Sequence, residues 1–330
     1  MKNKNRRILV SAVGGDLGQS IIKCLRDSYP APYIVGCDLN PYAGGRAAVD
    51  LFLQAPPASE NENYRDFLRK TIREHQIDYV FPMSDVEILF YNEHKEWFQD
   101  CRDCPTVFAV CEPHIIDTFM DKYKTAAFFK DNGFLYPETY LPEEYNGQLG
   151  FPLILKRKQG SGSQKLFKVT DAEELDFYLK RNSGMIIQEY LRQKDGKDNE
   201  YTSGLFSGGQ TPHTVHAITF RRFLAPGGFS QQVELITAGP AVEFAESLGR
   251  VLHFKGSLNV QFRLTDRGCV AFEINPRFSS TVYFRHRFGF KDVLWTMDLC
   301  EGKPASYKTL FKKGIGVRTF GEEIFEMETF

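Results

Sequence analysis

No run of apolar residues in this chain comes near the eighteen or so needed to cross a bilayer as a helix. The basic start MKNKNRRILVSAVGG carries only a short apolar stretch ending in glycines, so ILVSAV is expected to be a first strand and not the core of a secretion signal. Charge of one sign is also scarce. Forty-one Lys plus Arg face 42 Asp plus Glu, a net charge of −1, which supplies no overall field to draw in nucleic acid or an anionic membrane. Cysteine is sparse: the seven present are odd in number and irregularly spaced, which argues against a disulfide framework and for reduced thiols in the cytoplasm. Cys101, Cys104 and Cys111 make only part of a metal motif; no further ligand pair completes it, so a turn with buried thiols is expected. No GxxxxGK[ST] occurs, which excludes a Walker loop, and there are no repeats and no low-complexity tail.

What is present is a globular composition, 42% hydrophobic and 25% charged. Its 330 residues exceed the roughly 250 to 300 that one core sustains, so two or three lobes are expected, with a site between lobes. From Arg7 to about Val110 short apolar runs (ILVSAV, YIVGCDL, DYVFPM, TVFAV) alternate with helical ones (LGQSIIKCLRDSY, NYRDFLRKTIREHQ, DVEILFYNEHKEWF). That is a βαβ series and predicts a parallel sheet. The carboxyl ends of its strands, where Gly14, Gly15, Asp38 and Pro82 to Asp85 fall, form the expected binding edge. A helix follows over DKYKTAAFFKDNG. GFPLILKRK, KLFKVT and MIIQEY then read as strands around the helix DAEELDFYLKRN. From Glu200 a longer antiparallel sheet is predicted, through EYTSGLFS, TVHAITFRR, QQVELIT, GSLNVQFRLT and CVAFEINPRF, with a helix near Pro240 to His253. The fold class is therefore α/β combined with α+β.

Three patterns carry chemistry. The turn GGDLG with Asp38 downstream has part of a dinucleotide fingerprint but lacks the full GxGxxG spacing, and a tight strand-to-helix turn needs the same glycines. The loop Gly160, Ser161, Gly162, Ser163, flanked by Lys156, Arg157, Lys158 and Lys165, offers backbone donors among four cations, which suits a polyphosphate. A mobile surface hairpin would look the same. The sharpest pattern is Gln261 on one strand and Glu273, Asn275 and Arg277 on the next. Residues two apart share a strand face, so oxygen ligands for a hard Mg²⁺ would lie beside a cation, with nucleotide phosphates completing the shell. Pro276 directly after Asn275 is a poor choice for a routine strand interior.

Taken in order, Lys124, Lys156, the glycine-serine loop, IIQEYL, NEYTSG, LNVQF and FEINPRFS resemble the ATP-grasp superfamily, and are most similar to the ATP-grasp modules of carbamoyl-phosphate synthase large subunits. The resemblance runs over nearly the whole chain. It implies a Rossmann-like pre-ATP-grasp domain over residues 1–115, a linker helix and lid over 116–190, and an antiparallel-sheet subdomain with the metal and phosphate site over 191–330. It also implies ATP and Mg²⁺ as cofactors. Lys124 and Lys156 would contact phosphates, the hinge Glu189, Tyr190 and Leu191 would hold adenine with Glu189 accepting its amine, and Glu200 would bind ribose. Gln261, Glu273 and Asn275 would hold magnesium, and catalytic Arg277 would steady the transferring phosphoryl group. Many family members place a carboxylate where Gln261 stands, RQKDGKDN lengthens the stretch before Glu200, and one module is present where the synthase has two, with no amidotransferase segment.

The expected activity is an ATP-dependent carboxylate–amine ligase working through an acyl phosphate. Its partners would be a small-molecule carboxylate and an amine, with no nucleic acid and no membrane; a homodimer is compatible. The substrate pocket is expected at Gly14, Gly15, Asp85 and Glu87, and at Arg221 and Arg222, whose pairing suits a carboxylate but equally a solvated strand end. A nucleotide-binding regulatory protein without chemistry and a nicotinamide-dependent oxidoreductase are the alternatives.

Overall fold

The computed structural model describes residues 6–28, 30–99, 106–160, 165–196, 200–208, 215–303, 313–319 and 321–324. Ser161, Gly162 and Ser163 of the glycine-serine loop, and Cys101 and Cys104, lie outside them. Among the described residues no disulfide joins Cys24, Cys37, Cys111, Cys269 and Cys300. Among the described residues no helix is long and apolar enough to cross a membrane.

The chain divides into two compact units. The first comprises residues 1–111, 277–310 and 318–330. Its elements are β1 (Arg7–Val10), α1 (Asp16–Arg26), β2 (Tyr33–Asp38), β3 (Leu51–Gln54), α2 (Asn61–His75), β4 (Tyr79–Phe81), α3 (Asp85–His94), α4 (Glu96–Gln99) and β5 (Val107–Phe108). The strands form one parallel sheet in the order β3-β2-β1-β4-β5. Ile8, Leu9 and Val10 have no exposure, as expected of a central strand covered on both faces. On one face Leu9, Val35 and Val80 pack with Tyr64, Leu68 and Ile72 of α2 and with Phe90 and Tyr91 of α3. On the other, Ile8 and Val10 meet the apolar stripe of α1, Leu17, Ile21, Ile22 and Leu25, together with Phe278, Val282, Val293 and Met297.

Those last four residues belong to the helices Val282–Arg287 and Asp292–Cys300 and the turn before them. Their apolar faces need a partner, and α1 supplies it, so residues 277–310 join the N-terminal unit. The expected continuous span 191–330 is accordingly cut between Pro276 and Arg277. Within this segment Arg285 and Asp292 form an ion pair at 3.1 Å with both side chains fully buried. The guanidinium nitrogens make no aligned hydrogen bond among the described residues. Burial pushes the Arg285 pKa below its ordinary value, against the pull of Asp292.

The second unit comprises residues 112–276 and 311–317. Helices α5 (Pro113–Phe119) and α6 (Lys122–Asp131) lead into a four-stranded antiparallel sheet of β6 (Thr139–Tyr140), β7 (Leu153–Arg157), β8 (Phe167–Val169) and β9 (Met185–Glu189), in the order β6-β9-β7-β8. Helix α7 (Ala172–Arg181) covers one face, where Leu153, Leu155, Val169, Leu175, Met185 and Ile187 form a small core. A six-stranded sheet follows, from β10 (Glu200–Gly208), β11 (Val215–Leu224), β12 (Ser230–Ile236), β13 (Lys255–Thr265), β14 (Gly268–Asn275) and β15 (Ile315–Val317), with α8 (Pro240–Val251) between β12 and β13. Its order is β14-β13-β10-β11-β12-β15.

One irregularity in this sheet matters for chemistry. Gln261 pairs with Glu273, but the next pair is Phe262 with Ala271, so Phe272 is an extra residue in β14. Side chains alternate across a strand, and a one-residue bulge changes which of them face a given side. Without it Gln261 would oppose Phe272. With it, Glu273 and Asn275 share the face of Gln261 and Asn259.

Candidate active site

Four strands of the second unit present polar side chains to one face of the six-stranded sheet. The register aligns Glu200 with Arg222, Thr202 with Gln261, Gln261 with Glu273, and Asn259 with Asn275. Directly opposed residues on antiparallel strands lie on the same side, so these form a single polar surface. Glu273 and Asn275 supply a carboxylate and an amide oxygen, hard donors of the kind magnesium takes when phosphates complete its shell. The donor set therefore fits the metal expected from the sequence. Among the described residues no group of three or more His, Cys, Asp or Glu is placed to hold a metal ion by itself.

Gln261 and Glu200 are differently placed from the expectation. The buried Arg222 guanidinium donates through Nε to Glu200 Oε1 at 2.9 Å, with Nη2 also on that oxygen, and Nη2 donates to Gln261 Oε1 at 2.9 Å. Glu200 is thus an arginine clamp, and its expected ribose contact is a separate matter of Oε2. Arg221 and Arg222 do not act as a pair. As neighbours on a strand they point to opposite faces, and Arg221 is joined to Asp195.

Lysine reaches the polar face from two directions. Lys156, on β7, is buried, and that burial lowers its pKa to about 8; Glu273 and Glu200 pull it upward and Lys122 presses it further down. Its Nζ lies 5.6 Å from the centre of the Phe272 ring. The second cation is Lys122, not Lys124. Lys122 Nζ stands 3.5 Å from Glu273 Oε1 and donates to the Gly160 carbonyl at 2.6 Å, while its backbone N–H donates to the Lys158 carbonyl at 2.9 Å. Asp121 caps α6 by accepting from the N–H groups of Tyr123 and Lys124, at 2.9 and 3.2 Å. That fixes Lys122 as the first residue of the helix. Two residues along an α-helix are about 200° apart, so Lys124 leaves on the other side, and its Nζ donates to the Asp117 carbonyl at 3.3 Å. The backbone at Gly160 has φ +106°, a conformation natural only to glycine.

The hinge differs in the same way. In β9, Gln188 and Ile186 pair with Ile154 and Lys156, whereas Glu189 and Ile187 pair with Leu153 and Leu155. Glu189 therefore faces away from Lys156, toward the α7 side, and is held by Arg267 Nη2 at 2.7 and 2.8 Å. This geometry is at odds with Glu189 accepting an adenine amine on the Lys156 side; the backbone of Glu189, Tyr190 and Leu191 is unaffected by that objection. The Tyr190 ring lies on the Lys156 side and is covered by Lys168 Nζ at 4.4 Å. A cleft of about 600 Å³ lined by Glu138, Glu189, Tyr190, Arg192, Asp266 and Arg267, among others, opens behind the hinge.

In the first unit the expected substrate residues have structural duties. Gly14 N–H donates to Asp38 Oδ2 at 2.8 Å, and Asp38 Oδ1 accepts from Asn40 N–H at 2.9 Å, so the acid of the partial dinucleotide pattern holds its own turn. Gly15 N–H donates to the Ala12 carbonyl at 3.1 Å. Glu87 is buried and accepts from Ser11 Oγ at 2.6 Å, Tyr64 OH at 2.6 Å, and Ser84 Oγ and N–H at 2.7 and 3.0 Å. A carboxylate so engaged is a keystone of the carboxyl edge and not a substrate contact. Asp85 accepts from Arg277 Nε at 2.7 Å. Arg277 follows Asn275 by two residues, which keeps their Cα atoms within about 7 Å by chain connectivity alone.

Sequence reasoning missed two residues. Lys122 was in view, in DKYK, and the capping Asp121 was the signal that could have singled it out. Asn259 is fully buried, its Oδ1 accepts from Thr202 Oγ1 at 2.9 Å, and its Nδ2 has no partner among the described residues. In LNVQF it lies two residues before Gln261 and so shares its face.

Residues 119–281 match the family described as ATP-grasp domain. Among curated proteins the chain is similar to the carbamoyl phosphate synthase large chains of Caldanaerobacter subterraneus, 26% identical over 41% of this chain and 13% of that one, and of Myxococcus xanthus, 24% identical over 52% of this chain and 17% of that one. The chain thus spans a small fraction of those relatives. Among solved structures it is similar to N5-carboxyaminoimidazole synthetase from Staphylococcus aureus in complex with ADP (TM-score 0.72, 14% identity, 96% of this chain and 83% of that one). It is also similar to L-amino acid ligase from Bacillus licheniformis (TM-score 0.65, 16% identity, 90% and 75%). The parallel sheet, the small four-stranded sheet and the six-stranded sheet follow one another along the chain, and over residues 119–281, just under half of its length, the chain matches an ATP-grasp domain.

Proposed function

We propose that the protein is an ATP-dependent carboxylate–amine ligase. The observation that carries this reading is the convergence of two lysines on the metal-type strand: Lys122 stands 3.5 Å from Glu273, and buried Lys156 feels the same carboxylate. Two ammonium groups beside an isolated carboxylate make sense once phosphates and a divalent ion lie between them. In this reading residues 116–190 serve as linker helix and lid.

A carboxylate oxygen of the substrate attacks the γ-phosphorus, and the bond from that phosphorus to the ADP oxygen breaks with its electron pair going to ADP. The amine then adds to the acyl carbon, phosphate leaves with the C–O bonding pair, and the amine proton passes to solvent or phosphate. Glu273 and Asn275 would hold magnesium, which neutralises charge on the phosphates. Lys122 and Lys156 follow the phosphate oxygens with flexible ammonium groups, and burial strengthens their pull. Arg277, kept in place by Asp85, offers a planar fork to an oxyanion. No protein nucleophile is required, because positioning and charge stabilisation do the catalysis.

The oxidoreductase alternative has lost its acid, since Asp38 is bonded to Gly14 and Asn40. The deciding experiment is a screen of amino acids, dipeptides and amino sugars with Mg-ATP, following ADP and phosphate release. Substrate-dependent ADP release supports the ligase. Nucleotide binding without release under every pairing supports a regulatory binder, and a thermal shift with NAD but none with Mg-ATP would remove the ligase reading.

A further inference from the structure

The polar face carries an arginine that the proposed chemistry has not used. Arg222 is buried, and Glu200 Oε1 holds it through both Nε and Nη2, so the guanidinium cannot swing aside. Nη2 also donates to Gln261 Oε1 at 2.9 Å. That oxygen is the one Gln261 would present to a metal, because the other end of the amide is a donor. Gln261 in turn faces Glu273 across β13 and β14. A cation bound through Gln261 would share its ligand oxygen with a fixed positive charge, in a buried setting where like charges repel strongly. Glu273 has its own cation, Lys122 at 3.5 Å from Oε1, but a carboxylate keeps a second oxygen and an ammonium on a flexible stem can move aside, whereas Gln261 has a single acceptor oxygen and Arg222 is fixed upon it.

Resting on the proposed ATP-binding reading, we infer that the centre takes a single divalent ion, on Glu273 and Asn275, and that Arg222, set by Glu200, stands in place of a second ion at Gln261. Glu200 and Gln261 are then positioning residues for a protein cation. Beside Arg277, the positive charge facing the triphosphate is then supplied by one metal, two lysines and the edge of this guanidinium. Nucleotide is used with one bound ion, and raising the metal concentration adds nothing at Gln261.

The test counts ions and needs no substrate. The protein is loaded with a non-hydrolysable ATP analogue and titrated with Mn²⁺, with free Mn²⁺ followed by electron paramagnetic resonance. One Mn²⁺ per chain is expected, with no spin coupling between ions. Two per chain, or a coupled signal, overturns the inference and leaves the ligase reading standing. No Mn²⁺ retained with nucleotide removes the metal centre and both readings together. The paired variant Arg222→Met with Glu200→Gln avoids a buried unpaired carboxylate and frees Gln261; it should take up a second equivalent. A variant that keeps its melting transition and nucleotide binding yet still holds one ion shows that Arg222 is not what excludes the second, and overturns its proposed role.

Discussion

Arg277 Nε donates to Asp85 Oδ1 at 2.7 Å, and Nη1 donates to the Phe278 carbonyl at 2.9 Å. Two nitrogens of the guanidinium are therefore committed to the protein, and its plane is set before any ligand arrives. Asp85 is itself fixed, as the first residue of α3, by the reciprocal bonds of Ser84 and Glu87. An acid and a base that sequence reasoning gave separate tasks act as one unit.

Arg277→Ala should lower turnover by about a hundredfold to a thousandfold, the usual cost of losing one preorganised charge contact. Asp85→Asn should cost roughly tenfold to a hundredfold through misplacement of the same group. Steady-state kinetics on the substrate found by the screen will check both. ATP affinity should change little in either, and equal losses in affinity and turnover would count against the pairing.

Lys122→Ala should weaken ATP binding by about tenfold to a hundredfold, since a hydrogen bond to a charged group contributes roughly 1.5–3 kcal/mol. Lys124→Ala and Glu189→Gln should each stay within about twofold, because both side chains face elsewhere. Isothermal titration with the three variants separates these roles. A loss confined to the Lys124 variant would show that the helix face has been misread.

ATP affinity of the free protein should decline as pH rises through about 8, where buried Lys156 gives up its proton. The groups acting on it are Glu273 and Glu200, which favour the ammonium, and Lys122, which opposes it. The sign for stability is opposite. Lys156 binds its proton less tightly folded than unfolded, so between about 8 and the ordinary lysine value of about 10.4 the unfolded chain holds more protons and this group's contribution to stability rises with pH. Binding titrations and urea melts from pH 7 to 10 measure the two trends; Lys156→Met should abolish both.

Asp292→Ala should destabilise the first unit by about 3–5 kcal/mol, because it leaves the buried Arg285 charge without its counter-ion. Replacing the pair together, Arg285→Met with Asp292→Leu, should be close to neutral. Denaturant melts monitored by circular dichroism will distinguish a charge that must be matched from one whose removal alone is harmful.

The alternation of apolar runs and helical stripes was enough to read strands β1, β2, β4 and β5 of the parallel sheet, β7 to β9 around α7, and β10 to β14; β6 and β15, of two and three residues, are too short to show a pattern. Strand β3 escaped notice because LFLQ is four residues without a flanking pattern. The return of residues 277–310 to the first unit is not local information at all, since it depends on α1 having an unfilled face. The donor types of the candidate site were legible because chemistry limits what can hold magnesium and phosphate. Which lysine of DKYK, which face for Glu189 and what engages Gln261 were not. Each turns on a cap, a strand register or a contact between residues far apart in the chain.

The extra residue at Phe272 gives the candidate site a dependence on parity. A ladder of the same length without the bulge would set Gln261 against Phe272 and turn Glu273 and Asn275 to the packed side. Removing one residue together with the bulge keeps Gln261 opposite Glu273, so the polar face should survive that deletion. A second deletion has no bulge left to absorb it and would exchange odd for even positions along β14. Length variation in this hairpin is therefore constrained by its remainder on division by two, counted from the bulge, and hardly by its size.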